Sequence, residues 1–314
     1  MKAMVIKDFG GPEVIEQRDI EKPEPGPNEI LVKVKATSIN PVDYKIRQNG
    51  KWAGIEPPAV IGWDVVGKVE KIGAGVQNFE EGDEVFYTSE IGSNGGSYAE
   101  YNVANESIVA KKPENLDFNE AASIPLAGCT AWDSLIRAAL LQVPETILIH
   151  GGAGGVGSLA IQIAKATGAR VFTTCGSYHK DLVKKLGADV AIDYRKEDFV
   201  EVVKNGTNGD GVDVVFDCVG GDTLEKSLDV ACFRSRLVTI VNSTGDLNRG
   251  KANNISVHYV FMQRSSETMN SLKRMIERGQ IKPVIDSVMK LEEAAEAQKK
   301  LEEGSVKGKI VLSV

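Results

Sequence analysis

Metal-binding patterns are missing from this chain. Its four cysteines (Cys129, Cys175, Cys218 and Cys232) lie far apart with no CxxC pair, and its three histidines (His150, His179 and His258) show no HxxxH or HExxH spacing. A structural zinc site or a disulfide framework is therefore not expected, and the cysteines read as free thiols of a reducing compartment. Positive charge is not in excess either. Lysine plus arginine number 37 against 44 aspartate plus glutamate, a net charge of -7. That leaves neither a nucleic-acid footprint nor a polybasic membrane patch. No apolar run approaches the ~18 residues of a membrane span. The opening Met1–Asp8 turns charged within a few residues, so no signal peptide is expected. Internal repeats and low-complexity tracts are also lacking. A cytoplasmic globular protein follows as the expectation.

What is there begins with enough chain for two domains. The 314 residues are 42% hydrophobic and 26% charged, a composition that supports a sizeable core. The most informative stretch is Glu145-Thr-Ile-Leu-Ile-His-Gly-Gly-Ala-Gly-Gly-Val-Gly157. A short apolar run stops at a glycine cluster, and an amphipathic pattern (Ser158 to Thr167) follows at once. Gly152, Gly154 and Gly157 form a GxGxxG set. The first glycine is expected to allow the sharp turn, the second close approach of backbone to phosphate, and the third tight packing of helix on strand. The N–H groups that open the helix, including those of Gly155 and Val156, then face an anion. A second strand, Arg170–Cys175, completes the βαβ context that this motif requires. Dinucleotide binding is the reading. A glycine-rich turn with a structural role alone is the alternative.

The first hundred-odd residues read as β-rich. Strands are expected at Lys2–Lys7, Glu29–Ser38, Val65–Ile72, Glu84–Tyr87, Ser97–Val103 and Ser107–Lys111, separated by turn signals such as Gly92–Gly96. Close spacing of short strands suggests a partly open barrel. The pattern changes near residue 115. A helix is expected over Leu126–Ala139. Strands follow at Thr146–His150, Arg170–Cys175, Val190–Asp193, Val212–Asp217, Arg236–Val241 and Val257–Phe261, with helices between most of them. This is the rhythm of an α/β doubly wound parallel sheet. After a helix at Thr268–Glu277, the pieces Val284–Met289 and Lys309–Ser313 read as strands that rejoin the N-terminal β domain. The charged run Leu291–Glu302 reads as a helix with a solvated face. The domains are then 1–120 with 262–314, and 121–261 as an insertion, with a cleft between two lobes as the expected ligand site. The apolar strand Val257–Phe261 can pair across a two-fold axis, which points to a homodimer.

These residues carry a resemblance that runs end to end. The segments are Thr37–Lys45, Gly62–Gly67, Phe79–Val85, Thr130-Ala131-Trp132, Gly151–Gly157, Leu186–Asp189, Ile192-Asp193-Tyr194, Val215–Gly220 and Gly308–Val311. The chain resembles the zinc-independent quinone oxidoreductase branch of the medium-chain dehydrogenase/reductase superfamily. The resemblance implies a GroES-like substrate domain, a Rossmann cofactor domain, and NADPH-dependent two-electron reduction of quinones or enones. Zinc-dependent relatives carry Gly-His-Glu where this chain has Gly62-Trp63-Asp64. Asn40 and Leu126 fall at or near their cysteine ligands, and Ser89–Ser97 lacks the four cysteines of their structural zinc. No metal is therefore expected.

The resemblance also suggests site residues. Ser177, Lys180 and Tyr194 would hold the 2′-phosphate of NADPH, and no carboxylate follows the second strand until Asp181, which belongs to the next helix. Thr130 would bond the ribose or carboxamide, Val219 lies in a segment passing near the adenosine ribose, and Asn242 ends the fifth strand near the nicotinamide. Lys309 is a weaker candidate. Hydride transfer to an enone places negative charge on its carbonyl oxygen, so a donor is needed. Asn40 is the first candidate, or else a turn asparagine ahead of Pro41. Tyr44 donates a proton or lines the pocket. Trp52 and Trp63 are flat walls for a planar substrate, or ordinary core. Mitochondrial enoyl-thioester reductases have a Gly-x-Tyr proton donor where this chain has Gly50-Lys51-Trp52. An enoyl-thioester reductase and a non-catalytic NADPH-binding structural or sensor protein remain as alternatives.

Overall fold

A computed structural model describes residues 1–92, 95–304 and 306–314. The N-terminal stretch runs β1 (Lys2–Ile6), β2 (Ile15–Asp19), β3 (Glu29–Ser38), α1 (Pro41–Asn49), β4 (Ala59–Val60), β5 (Asp64–Ile72), β6 (Glu84–Thr88), β7 (Tyr101–Asn105), β8 (Ala110–Lys111) and α2 (Phe118–Ala122). It continues through α3 (Pro125–Trp132), β9 (Thr146–His150), α4 (Gly155–Ala166), β10 (Arg170–Cys175), α5 (Lys180–Lys185), β11 (Val190–Asp193), α6 (Phe199–Gly206), β12 (Val212–Asp217), α7 (Thr223–Ser227), β13 (Ala231–Thr239) and β14 (Ser256–Tyr259). The last elements are α8 (Ser266–Glu277), β15 (Ile285–Lys290), α9 (Ala294–Glu302) and β16 (Lys309–Ser313).

The chain divides into two units, Met1–Cys129 with Arg264–Val314, and Thr130–Gln263. Sequence pattern alone puts the first junction earlier, at 120/121, and the second at 261/262. The first lies later because α2 and the start of α3 are tied into the N-terminal unit. The Leu126 N–H donates to Asp64 at 2.7 Å, and Cys129 Sγ meets Met269 Sδ at 3.4 Å.

In the N-terminal unit β3 is the spine. Its first half, Glu29–Lys33, pairs with β7, its second half, Ala36–Ser38, with β16, and its other edge with β5, all antiparallel. The resulting sheet has seven strands, and a smaller one of three is ordered β2-β1-β4. The final strand Lys-Ile-Val-Leu-Ser thus rejoins the first domain. Four of its five residues are buried, a run that needs cover on both faces, and it pairs with β3 on one edge and β15 on the other. Two strands lay outside the sequence expectation. β2 reads Ile-Glu-Gln-Arg-Asp, mostly polar because it is an edge strand, and β4 is two residues long. The expected strand Ser107–Lys111 opens instead as a 3₁₀ turn, Glu106–Ile108, since Asn105 accepts from the Ser107 N–H and caps it. The expected turn Gly92–Gly96 includes Ser93 and Asn94, which lie outside the described residues.

The second unit is a six-stranded, wholly parallel sheet ordered β11-β10-β9-β12-β13-β14. Numbered from β9, this is the doubly wound order 3-2-1-4-5-6, with the direction of winding reversing between β9 and β12. Both faces are covered, so the strands are continuous apolar runs. Ile147, Leu148 and Ile149 are fully buried, each side chain contributing roughly 1.5–3 kcal/mol. The expected helix Leu126–Ala139 is α3 followed by a widened π turn, Asp133–Ala138.

Candidate functional sites

At the C-terminal end of β9 the backbone reverses at Gly151, whose φ is +79°. Sequence reading gave this turn to Gly152. The left-handed position belongs to Gly151, and Gly152 serves packing instead, since a Cβ there would sit 2.0 Å from Thr173 Oγ1. A Cβ on Gly157 would lie 2.2 Å from Gly151 O and 2.8 Å from Gly152 Cα, so α4 approaches the loop closely only without a side chain. Gly154 is different, because its Cβ position meets only Gly151 O, at 3.4 Å. The space beside it is open. α4 begins there with no side-chain cap, and its first i→i−4 bond is Ser158 N–H to Gly154 O. The N–H groups of Gly155, Val156 and Gly157 therefore have no intrahelical acceptor, and they point out of a positive helix end. This is a cradle for an anion such as a diphosphate.

A buried relay fixes the cradle from below. Ser227 Oγ donates to Thr223 O, so it accepts from His150 Nε2 at 2.9 Å. His150 Nδ1 then accepts from Thr174 Oγ1 at 3.2 Å, and Thr174 Oγ1 accepts from the Gly151 N–H. Burial pushes the His150 imidazole down to about 4, with Asp217 pulling the other way, so the ring is neutral as the relay requires.

The neighbouring strand ends supply a rim. Cys175 of β10 and Asp193 of β11 are in register. Ser177 follows β10 and donates to the Asp193 carboxylate. That bond holds Asp193 below the usual carboxylate range. Lys180 donates to Glu197 at 2.8 Å, which also accepts from the Asp193 N–H. Tyr194 is exposed, with the Arg195 guanidinium 5.4 Å from its ring centre. The three phosphate candidates Ser177, Lys180 and Tyr194 are thus brought together, and a carboxylate stands among them. Sequence reading found none at the end of the second strand. Asp193 arrives from the third.

At the switch point the buried Asp217 accepts from the Val219 and Gly220 N–H groups at 2.9 and 3.0 Å, and from Thr239 Oγ1 at 3.2 Å. This brings Val219 Cγ2 within 3.2 Å of where a Gly151 Cβ would be. Asn242 is exposed, and its carbonyl accepts from Gly221 N–H. Thr130 is buried on α3. The residues of this unit fit a nicotinamide dinucleotide, with an open glycine cradle for the diphosphate and polar strand ends for the riboses.

In the N-terminal unit a second cluster forms around Asp64. Its carboxylate accepts from Asn40 Nδ2 at 2.7 Å, Ser38 Oγ at 2.5 Å, the Leu126 N–H at 2.7 Å and Lys309 Nζ at 3.4 Å. Lys309 also donates to Ile39 O at 2.7 Å and to Asn40 Oδ1. Asn40 N–H donates to Asp43, which takes a further bond from Tyr98 OH at 2.7 Å. Burial pushes the Asp43 carboxyl up to about 7 against those bonds and the Lys309 charge.

Comparison with known proteins agrees with both units. Residues 26–114 match the alcohol dehydrogenase GroES-like domain, and residues 186–312 match the zinc-binding dehydrogenase domain. Human quinone oxidoreductase is 33% identical over 99% of this chain and 97% of its own length. The chloroplastic NADPH-dependent alkenal/one oxidoreductase of Arabidopsis thaliana is 36% identical over 99% of this chain and 79% of its own. The crystal structure of Escherichia coli quinone oxidoreductase complexed with NADPH superposes with a TM-score of 0.91 at 32% identity, covering all of both chains. The chain belongs to the quinone oxidoreductase branch of the medium-chain dehydrogenase/reductase superfamily.

For this branch member Trp63 is ordinary core, and its reading as a substrate wall is overturned. Its side chain is 0% exposed and packs in the core with Ile6, Ile39, Ile46 and Tyr98, so it cannot form a wall for substrate. Trp63 immediately precedes Asp64, the first residue of β5, and successive side chains on extended backbone leave on opposite faces. Asp64 takes the polar cluster and the indole takes the core. Trp52, at 59% exposure, stays open to solvent. Asn40 is buried, with its amide hydrogens directed at Asp64 and, at 3.4 Å, Ser38 O. Its amide is committed to the cluster and is not a free donor for a developing oxyanion. Tyr44 is half-buried on α1, and burial together with Glu302 raises its phenol above the ordinary value, so it keeps its proton at neutral pH. The signal for Asp64 was in the sequence, in Gly62-Trp63-Asp64. The signal for Lys309 was its place in Gly308–Val311, at the first residue of the last strand.

Proposed function

We propose that this chain is a metal-independent, NADPH-dependent reductase of quinones and α,β-unsaturated carbonyls. The observation that carries the reading is the cradle of Gly151 to Gly157, open beside Gly154 and lined by N–H groups that have no intrahelical acceptor. The names of the relatives support the substrate class. A reduced nicotinamide supplies a hydride to an electron-poor carbon.

The chain's own residues do the rest. Gly155, Val156 and Gly157 bind the diphosphate through their N–H groups. Ser177, Lys180 and Tyr194 are assigned to the 2′ end of the cofactor, and Thr130, Val219 and Asn242 to its riboses and nicotinamide. The GroES-like unit is assigned to the substrate, with Trp52 as an aromatic contact. With the Asn40 amide committed, the proton that completes reduction is assigned to Tyr44 or to solvent, and Asn40 becomes a positioning residue. Independence of metal is supported by the chemistry of the cluster. An ammonium, from Lys309, already neutralises Asp64, and Asn40, Trp63 and Leu126 are poor or impossible zinc ligands.

The protein is further proposed to be a cytoplasmic homodimer paired through β14. No helix among the described residues is long and apolar enough to cross a membrane. Anaerobic stopped-flow with NADPH against 1,2-naphthoquinone, a 2-alkenal and crotonyl-CoA tests the function. Fast oxidation with the first two is expected. Turnover of the thioester alone, or of none of the three, overturns it.

A further inference from the structure

The two best phosphate donors of the second unit are not idle. A serine hydroxyl has one hydrogen, and that of Ser177 goes to Asp193. The Lys180 ammonium is held by Glu197 at 2.8 Å, and the bond raises its pKa. Glu197 in turn is fixed by the Asp193 N–H, so the two carboxylates form one acidic platform under the rim. A 2′-phosphate arriving there needs donors and meets acceptors. It must take Lys180 from Glu197, and it brings negative charge next to Asp193. A ribose 2′-OH has the opposite need, since it is a donor and a carboxylate receives it.

We infer that Asp193 and Glu197 are specificity-determining residues that narrow the advantage of NADPH over NADH, so that NADH is a second working cofactor. Asp193 does this by occupying Ser177 and by its own charge. Glu197 does it by competing for Lys180. The inference rests on the proposed dinucleotide function and on the rim being the 2′ end of the site. It concerns which form is preferred.

The test is direct titration of both dinucleotides, followed by protein fluorescence and calorimetry, on the full chain and on D193N, E197Q and K180A. For the unaltered protein the two Kd values should lie within about ten-fold of each other. D193N should tighten NADPH about five-fold without tightening NADH, removing a like charge while keeping the side chain's shape. E197Q should tighten NADPH by about two- to three-fold and leave NADH unchanged, and it carries the test if D193N does not fold. K180A should weaken NADPH alone. If D193N and E197Q leave the Kd ratio unmoved, or move it toward NADH, while K180A still weakens NADPH, this inference fails and the cofactor site stands. If K180A leaves NADPH affinity intact, the rim is not the phosphate seat and this inference falls, while the proposed function stands. Absence of binding by either dinucleotide removes the proposed function itself.

Discussion

The Asn40 amide donates to the Asp64 carboxylate at 2.7 Å while its carbonyl oxygen receives the Lys309 ammonium. One neutral side chain thus sits between a buried cation and a buried anion and bonds to both. The arrangement ties the end of β3, the start of β5 and the start of β16 together, with Asn40 at the mouth of α1. Asp64 and Lys309 are 0% and 6% exposed at the side chain, so neither charge is relieved by water.

Removing one charge from this cluster strands the other. Lys309→Met should cost about 3–5 kcal/mol, as breaking a buried pair generally does. Asp64→Leu should cost a similar amount, and the double variant less than the sum. Denaturant midpoints for the three variants form the cycle that measures it. Additive losses would mean that the two residues act separately.

Gly154 and Gly157 should fail in different ways when changed to alanine. At Gly157 the new methyl would lie 2.2 Å from Gly151 O, so α4 must move off the loop. A loss of stability of order 1–3 kcal/mol and loss of dinucleotide binding are expected together. At Gly154 the nearest atom is 3.4 Å away, so the fold should tolerate the methyl. It would project into the space for the diphosphate. Gly154→Ala should keep its melting temperature and weaken NADPH binding by about ten-fold or more, a ~1.4 kcal/mol effect. Thermal melts with and without NADPH separate the two.

The contrast between the two units explains what was legible in the sequence. Thr146–Gly157 could be read because every part of the site lies within one strand, one turn and one helix. Trp63 could not, because whether it or Asp64 faces the core depends on which side of β5 the rest of the unit packs. Asp193 is the sharpest case. It is 18 positions from Cys175 in sequence but beside it in the parallel register of β10 and β11. A search for an acidic residue along the second strand cannot find one delivered by the third. Lys309 meets Asn40 across 269 positions, a contact set by β16 pairing with β3. Edge strands such as β2, polar on one face and short, left too weak a pattern to detect.

His150 sets an acid limit on stability. Its pKa is about 6.5 when the chain is unfolded and about 4 in the folded protein, lowered by burial. Between those values the unfolded chain binds more protons, so stability falls as pH drops through this window and levels off below about 4. His150→Asn should flatten the dependence of melting temperature on pH between 4 and 6.5. It should also weaken NADPH binding at pH 7, because Thr174 loses its partner and the Gly151 turn its support. An unchanged pH profile in the variant would show that other groups set the acid limit.

β14 is the last strand of the parallel sheet, and among the described residues nothing pairs with its outer edge. Tyr259 and Phe261, at its end and just beyond, are 67% and 68% exposed. An unpaired edge flanked by exposed aromatics invites a second strand, and in the proposed dimer the same strand from another copy would meet it antiparallel across a two-fold axis. Arg236, one strand inward, is held by Glu145 at 2.5 Å, so the sheet behind the edge is firm. Val257→Pro removes a backbone donor from the strand, and Phe261→Glu places a charge beside its own copy across the axis. Light scattering behind size exclusion should give twice the 33.8 kDa chain mass for the unaltered protein. Both variants should elute as monomers with NADPH binding retained, because the cradle is built at β9, three strands in from this edge. Dimers that survive both changes would place the interface elsewhere.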